Sequence, residues 1–261
     1  MNNILPAIFL GLIIVMTMGV ALELIMPYDT NDAIVASEAL AGENDGQYTW
    51  PCPNENGWFK ENITLEMPIS IEEFEDSMHD NRLRSGTRLV PVPINIVDPD
   101  SKYVRIVAEH IMDHTQGYSD RARAQAALWF VNICISYEYD TTLFNATEFW
   151  ATPLETLFLK RGDCEDTSIL LCSILLAMGL DAALLDFDQH IAVGLYLDSS
   201  DDYVFCETAS DARQTLGSGA QYYEDEMPGI YRYGETNLCL LALNNSLAVY
   251  YETFSDMINR K

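Results

Sequence analysis

The segment 162–179 reads Gly-Asp-Cys-Glu-Asp-Thr-Ser-Ile-Leu-Leu-Cys-Ser-Ile-Leu-Leu-Ala-Met-Gly, and it constrains the fold more than any other stretch. From Thr167 onward apolar residues fill most positions, with no polar stripe at helical spacing. Such a helix is covered on nearly all sides, so the fold must supply layers around it. Its ends are marked. Asp163 suits the N-cap, Asp166 stands three positions later where it can reach back to the N-cap amide, and Gly179 is a C-cap signal. Cys164 then lies in the first turn, where free N–H groups and the positive end of the helix dipole favour a thiolate. A fold places a nucleophilic cysteine at such a position.

At 261 residues the chain is long enough for one sizeable domain with appendages. Lys and Arg number 14 against 40 Asp and Glu, a formal net charge of -26. A phosphate-backbone binder needs the opposite sign, so no nucleic-acid partner is expected. The acidic, lysine-poor surface suits a saline setting or an anionic envelope, or else simply keeps the protein soluble. The run 4–26 is apolar except for Thr17 and Glu23, roughly the ~20 residues of a membrane-spanning helix. Residues 1–27 are therefore expected to be a transmembrane anchor or signal-like segment. No small-x-small site closes the run, which favours an uncleaved anchor. The acidic flank at Asp29 and Asp32 favours a single-pass protein whose soluble domain is extracytoplasmic, and the sequons at Asn62, Asn145 and Asn244 point the same way. The six cysteines show no CxxC and no finger-like spacing, so no zinc site is expected. Cys134, Cys172, Cys206 and Cys239 read as small buried hydrophobes. Cys52, between Pro51 and Pro53, reads as a loop cysteine and the best disulfide candidate, with no partner named.

Residues 28–57 read as a linker whose far end docks through Trp50 and Trp58, 58–118 as an N-terminal extension packed on the core, and 119–261 as the main domain. Helices are expected at 70–77, capped by Ser70, at 101–114, at 121–137, and at 154–157 after Thr152-Pro153. Val-Pro-Val-Pro within 87–96 reads as extended. His110 and His114 share a helix face, but the glutamate of a metalloprotease motif is absent between them, so they read as a solvated face. Strands follow at 181–185, 190–197 and 203–208. In the second, His190, Ala192, Gly194 and Tyr196 alternate with Ile191, Val193, Leu195 and Leu197, and the small residues beside His190 suggest a face that a helix approaches closely. One hairpin register sets His190 directly opposite Glu207; a one-residue slip would send them to opposite faces. The stretch 210–229 reads as irregular, with further strands at 238–243 and 247–251. No phosphate-binding loop or dinucleotide fingerprint is present, so no cofactor is expected.

A helix-opening cysteine, a strand-borne histidine and an acid on the next strand come in the order of a Cys-His-acid triad. Tyr137-Glu138-Tyr139-Asp140, Pro153-Leu154-Glu155-Thr156-Leu157, Gly162-Asp163-Cys164-Glu165-Asp166, His190 and Cys206-Glu207-Thr208 together resemble the transglutaminase-like superfamily, cysteine enzymes of papain-like fold. The resemblance implies an α+β fold of papain-like type, with the nucleophile-bearing helix packed on an antiparallel sheet; the apolar run 4–26 places the expected transmembrane helix before it. It implies Cys164 as nucleophile, His190 as base and Glu207 as orienting acid. The family commonly has Asp at the last place, and Asp188, Asp201 and Asp202 are rivals for it. The oxyanion would be held by the Cys164 N–H and a side-chain donor, Tyr137 or Trp150. The implied activity is attack on amide bonds of peptides or proteins through a thioester, with water or an amine as acceptor. A non-catalytic binding or envelope-organising module on the same fold is the alternative. Some relatives use calcium, but the acidic clusters here lack an EF-hand pattern and no metal is expected. Asp163, Glu165 and Asp166 crowd the thiol with negative charge, which opposes a thiolate unless capping amides or a nearby imidazolium offset it.

Overall fold

The computed structural model describes residues 45–79, 96–197, 203–210, 213–220 and 228–234. The chain separates into two units, Met1–Asn31 and Asp32–Lys261, and all described residues belong to the second. The expected anchor at 1–27, most of the expected linker, the Val-Pro-Val-Pro segment and the strands at 238–243 and 247–251 lie outside the described residues. Among the described residues no helix is long and apolar enough to cross a membrane.

Strands β1 (Gln47–Pro53) and β2 (Phe59–Glu66) open the described chain, followed by helices α1 (Ile71–Met78), α2 (Lys102–His114) and α3 (Asp120–Cys134). The two-residue strand β3 (Ser136–Tyr137), the short helices α4 (Asp140–Leu143) and α5 (Pro153–Leu159), and β4 (Arg161–Gly162) lead into α6 (Cys164–Ala177). Strands β5 (Asp181–Phe187), β6 (His190–Tyr196), β7 (Tyr203–Cys206) and β8 (Gly229–Arg232) are the last elements among the described residues. The last four form one antiparallel sheet in the order β7-β6-β5-β8.

Helix α6 is the axle of this arrangement. It packs against α2, α3 and α5 and against β5 and β6, which explains its lack of a polar stripe. Ile169, Leu170, Leu171, Ile174 and Leu175 are completely buried, each worth about 1.5–3 kcal/mol relative to exposure. Ile191, Val193 and Leu195 of β6 join that core. The other face of the sheet carries a smaller cluster of Leu185, Phe187, Ala192 and Phe205. Among the described residues, the room beside His190 therefore faces no helix. A Cβ on Gly194 would lie 2.9 Å from Cδ1 of Tyr203 and 3.1 Å from Cδ2 of Leu185, so cross-strand side chains fill it.

Several expectations are corrected. Gln47–Pro53, inside the stretch read as linker, is a strand: Tyr48, Trp50 and Cys52 are buried and β1 lies on α3. Trp50 docks at 1% exposure, but Trp58, at 73%, does not. Cys52 is a buried free thiol rather than a disulfide partner. Helix α3 stops at Cys134, because Ile135 turns extended and Ser136–Tyr137 pairs in parallel with Arg161–Gly162. That pairing brings Tyr137 beside the turn before Cys164. His110, expected on a solvated face, is half-buried, with its ring 5.6 Å from Trp50 and 4.4 Å from His114.

Candidate active site

The site is assembled where α6 begins. Asp166 is fully buried, and both of its carboxylate oxygens accept backbone N–H groups, from Ala151 at 2.7 Å and from Asp163 at 3.4 Å. This carboxylate fixes the N-cap to the loop before α5. Gly162 is required for it, since a Cβ there would lie 2.6 Å from Cβ of Asp166. The capped turn leaves Cys164 at the first helical position, half-buried, with its Sγ 3.1 Å from Oε2 of Glu165.

His190 opens β6 immediately after the two-residue loop Asp188–Gln189. Its Nε2 forms an ion pair with Oε1 of Glu207 at 3.2 Å, and Cys164 is a neighbour close enough to raise its pKa. Burial disfavours the imidazolium, but the neighbouring Cys164 side chain and the Glu207 carboxylate outweigh it and push His190 up to about 9. Glu207 moves the opposite way. Burial would raise it, yet His190 and the backbone N–H groups of Ala209 (3.0 Å) and Thr208 hold it below the ordinary glutamate range. Both shifts describe one imidazolium–carboxylate pair.

Glu207 does not sit opposite His190. The observed register pairs Val193 with Cys206 and Gly194 with Phe205, and its continuation sets Glu207 across from Ala192. The slip is two residues, so the two side chains share a face and meet diagonally, a span within reach of a long side chain. Of the rivals, Asp188 is exposed in the loop, and Asp201 and Asp202 lie outside the described residues.

The two expected oxyanion donors differ. The Trp150 indole has one N–H, and it donates to Oε1 of Glu148 at 2.8 Å. Tyr137 is near Cys164 and Asp163; burial first, then those neighbours, pushes its phenol well above the ordinary range, so it keeps its proton as a donor.

The sequence did not show how many acids converge behind the thiol. Oxygens of Asp140, Asp163 and Asp166 lie within 4.8 Å of one another, and Asp140, Glu148 and Glu165 form a second such group. Asp140 is 2% exposed and is pushed up to about 8, by burial first and then by Asp163. Burial also drives Glu165 and Asp166 upward. Oδ1 of Asp140 and Oδ1 of Asp163 are buried without a hydrogen-bond partner. An all-carboxylate set with two such oxygens fits a hard cation of the calcium type, not zinc. Its one legible signal was the closing acid of Tyr-x-x-Asp, Asp140.

Residues 148–218, which include Cys164, His190 and Glu207, match the family model described as the CEP76 peptidase-like domain. Among solved structures, the chain is similar to calcium-bound Legionella pneumophila LapG at 17% identity and a TM-score of 0.38, covering 71% of this chain and 99% of that one. A second LapG structure gives 15% identity and a TM-score of 0.38, covering 63% and 94%. The EGTA-treated form gives 16% and 0.36, covering 54% and 83%. No curated protein matches the chain.

Proposed function

We propose that this protein is a membrane-anchored cysteine enzyme that cleaves or transfers amide bonds of peptides or proteins through a thioester acyl-enzyme. The observation that carries this reading is the His190–Glu207 ion pair, with Nε2 3.2 Å from Oε1, in a site where Cys164 also raises the imidazole pKa. Similarity of residues 148–218 to a peptidase-like domain supports a peptide or protein substrate. The apolar run 4–26 and the acidic residues after it support a single-pass anchor with the domain extracytoplasmic.

The Cys164 thiolate attacks the amide carbonyl carbon, and the oxyanion takes the Cys164 N–H and the Tyr137 hydroxyl. His190, as imidazolium, gives its proton to the leaving amine, and the C–N bond breaks to leave a thioester. Water or an amine, deprotonated by His190, then attacks that thioester and releases the thiolate. Glu207 fixes the ring and stabilises the imidazolium throughout. Asp140, Asp163 and Asp166 would hold a calcium ion, whose charge would offset the carboxylates beside the thiol.

Peptide-library profiling of wild type against Cys164→Ala tests the reading. Cleaved or cross-linked products should form with wild type alone; equal product from both would end it. A non-catalytic module would instead leave Cys164 inert to iodoacetamide at neutral pH in the folded protein.

A further inference from the structure

Three buried hydroxyls join the segments that carry Cys164, His190 and Glu207. Thr167, Ser168 and Thr208 are 1%, 0% and 2% exposed. Thr167 Oγ1 lies 2.9 Å from Thr208 Oγ1, Ser168 Oγ lies 2.9 Å from the same atom, and Ser168 Oγ lies 3.0 Å from the carbonyl of Ile191. Thr167 is one turn on from Cys164, Ile191 follows His190, and Thr208 follows Glu207.

The hydrogens set a direction. Each hydroxyl carries one, and the Ile191 carbonyl can only accept, so Ser168 donates there. Thr167 donates to Thr208, which leaves the Thr208 hydrogen for Ser168. The chain therefore runs Thr167 to Thr208 to Ser168 to the Ile191 carbonyl, with the Thr167 hydrogen also shared with the Asp163 carbonyl at 2.6 Å. From the opposite side, Asn132 of α3 donates to the carbonyls of Glu207 and Thr208, each at 3.2 Å. The end of β7 is thus gripped by α3 through its backbone and by α6 through the Thr208 hydroxyl.

We propose that this hydroxyl bridge sets the spacing of Cys164, His190 and Glu207, with Thr208 as the positioning residue at its centre. The inference rests on the triad reading above. Productive geometry tolerates only about 0.5 Å of displacement, and hydrogen bonds from supporting residues, with packing, are what hold a site to it.

The test uses Thr208→Val, which keeps the shape and removes the hydroxyl, and Thr208→Ser, which keeps the hydroxyl. The probe is iodoacetamide at pH 7 on the full chain, with Cys164 alkylation followed by mass spectrometry of its peptide and folding checked by circular dichroism. Thr208→Val should react about fivefold more slowly than wild type, the scale of one net hydrogen bond, while Thr208→Ser stays within about twofold. Thr208→Val added to His190→Ala should slow the reaction no further than His190→Ala alone. A purely structural hydroxyl would lower thermal stability and leave the rate of the folded protein unchanged. The inference is overturned if Thr208→Val reacts at the wild-type rate while His190→Ala is slow, or if Thr208→Ser is as slow as Thr208→Val. A His190→Ala variant at the wild-type rate would refute the triad itself, and the bridge with it. Should Thr208→Val not fold, Ser168→Ala, which removes the link to Ile191, carries the same comparison.

Discussion

Glu207→Asp is a conservative change that should nonetheless uncouple the pair. Glu207 reaches His190 diagonally, with Oε1 3.2 Å from Nε2. Removing one methylene withdraws the carboxylate by about 1.5 Å, past hydrogen-bonding range. A charge-assisted hydrogen bond is worth about 1.5–3 kcal/mol, or about one to two pH units on the imidazole. His190, pushed up to about 9 in the native protein, should fall by that amount while its contact with Cys164 persists. The sign follows from linkage. His190 is raised above its unfolded value of about 6.5, so its stabilisation is complete below that value and is lost as pH rises through about 9. Glu207 is lowered, so its stabilisation is present above the ordinary glutamate range and is lost as pH falls through its folded value. Glu207→Asp should therefore move the alkaline edge of maximal stability downward. Proton NMR titration of the imidazole Cε1–H signals, with His190 assigned by His190→Gln, reads the shift, and thermal unfolding at pH 6, 8 and 10 reads its consequence. A variant whose His190 still titrates near 9, or a wild-type His190 titrating near 6.5, would refute the reasoning.

Three further outcomes are expected. Gly162→Ala forces a Cβ to within 2.6 Å of Asp166 Cβ, so the variant should lose about 1–3 kcal/mol in denaturant unfolding and alkylate more slowly at Cys164; unchanged stability would contradict the close approach. Calcium at a hundredfold its dissociation constant should stabilise the fold by about 2.7 kcal/mol, reversed by EDTA and blunted by Asp140→Asn, whereas identical melting curves with calcium and EDTA would rule out binding by the acid cluster. Gln189 holds φ at 72°, which costs a non-glycine residue about 1–2 kcal/mol, so Gln189→Gly should be neutral or stabilise by up to about 1 kcal/mol, and Gln189→Val should destabilise.

The parts legible in the sequence were those written locally. Asp163, Asp166 and Gly179 bracket α6 within a single run, and their roles depend on neighbours three or four residues away. Alternation along β6 fixed which residues share the face of His190. It did not fix the register, which moved by two residues because periodicity encodes parity while the connection sets the offset. Strand β1 was hidden by Pro51 and Pro53. The prolines are tolerated because, among the described residues, β1 pairs with β2 alone, and its other edge then needs no donors. What holds β1 is tertiary: the Trp50 and Phe130 rings meet edge-on at 4.9 Å, and the Tyr48 hydroxyl donates to the Leu157 carbonyl at 2.7 Å. Neither contact leaves a local trace. The acid cluster was illegible for the same reason, since Asp140 and Asp163 come together only through the pairing of β3 with β4.

That cluster also bears on the negative charge that the sequence places around Cys164. Counted along the sequence, Asp163, Glu165 and Asp166 are three negative charges around one sulfur. In the folded protein they are not three exposed charges. Both oxygens of Asp166 accept backbone N–H groups, and burial raises Asp140, Asp163, Glu165 and Asp166 together, so that protons or a cation neutralise part of the group. The Cys164 Sγ–H donates to Oε2 of Glu165 at 3.1 Å, and burial drives the Glu165 carboxyl upward. On the other side His190 is held cationic by Glu207. The carboxyl groups that crowd Cys164 in the sequence are thus partly tied to backbone N–H groups and partly driven toward their uncharged form, which lessens the negative charge around the sulfur.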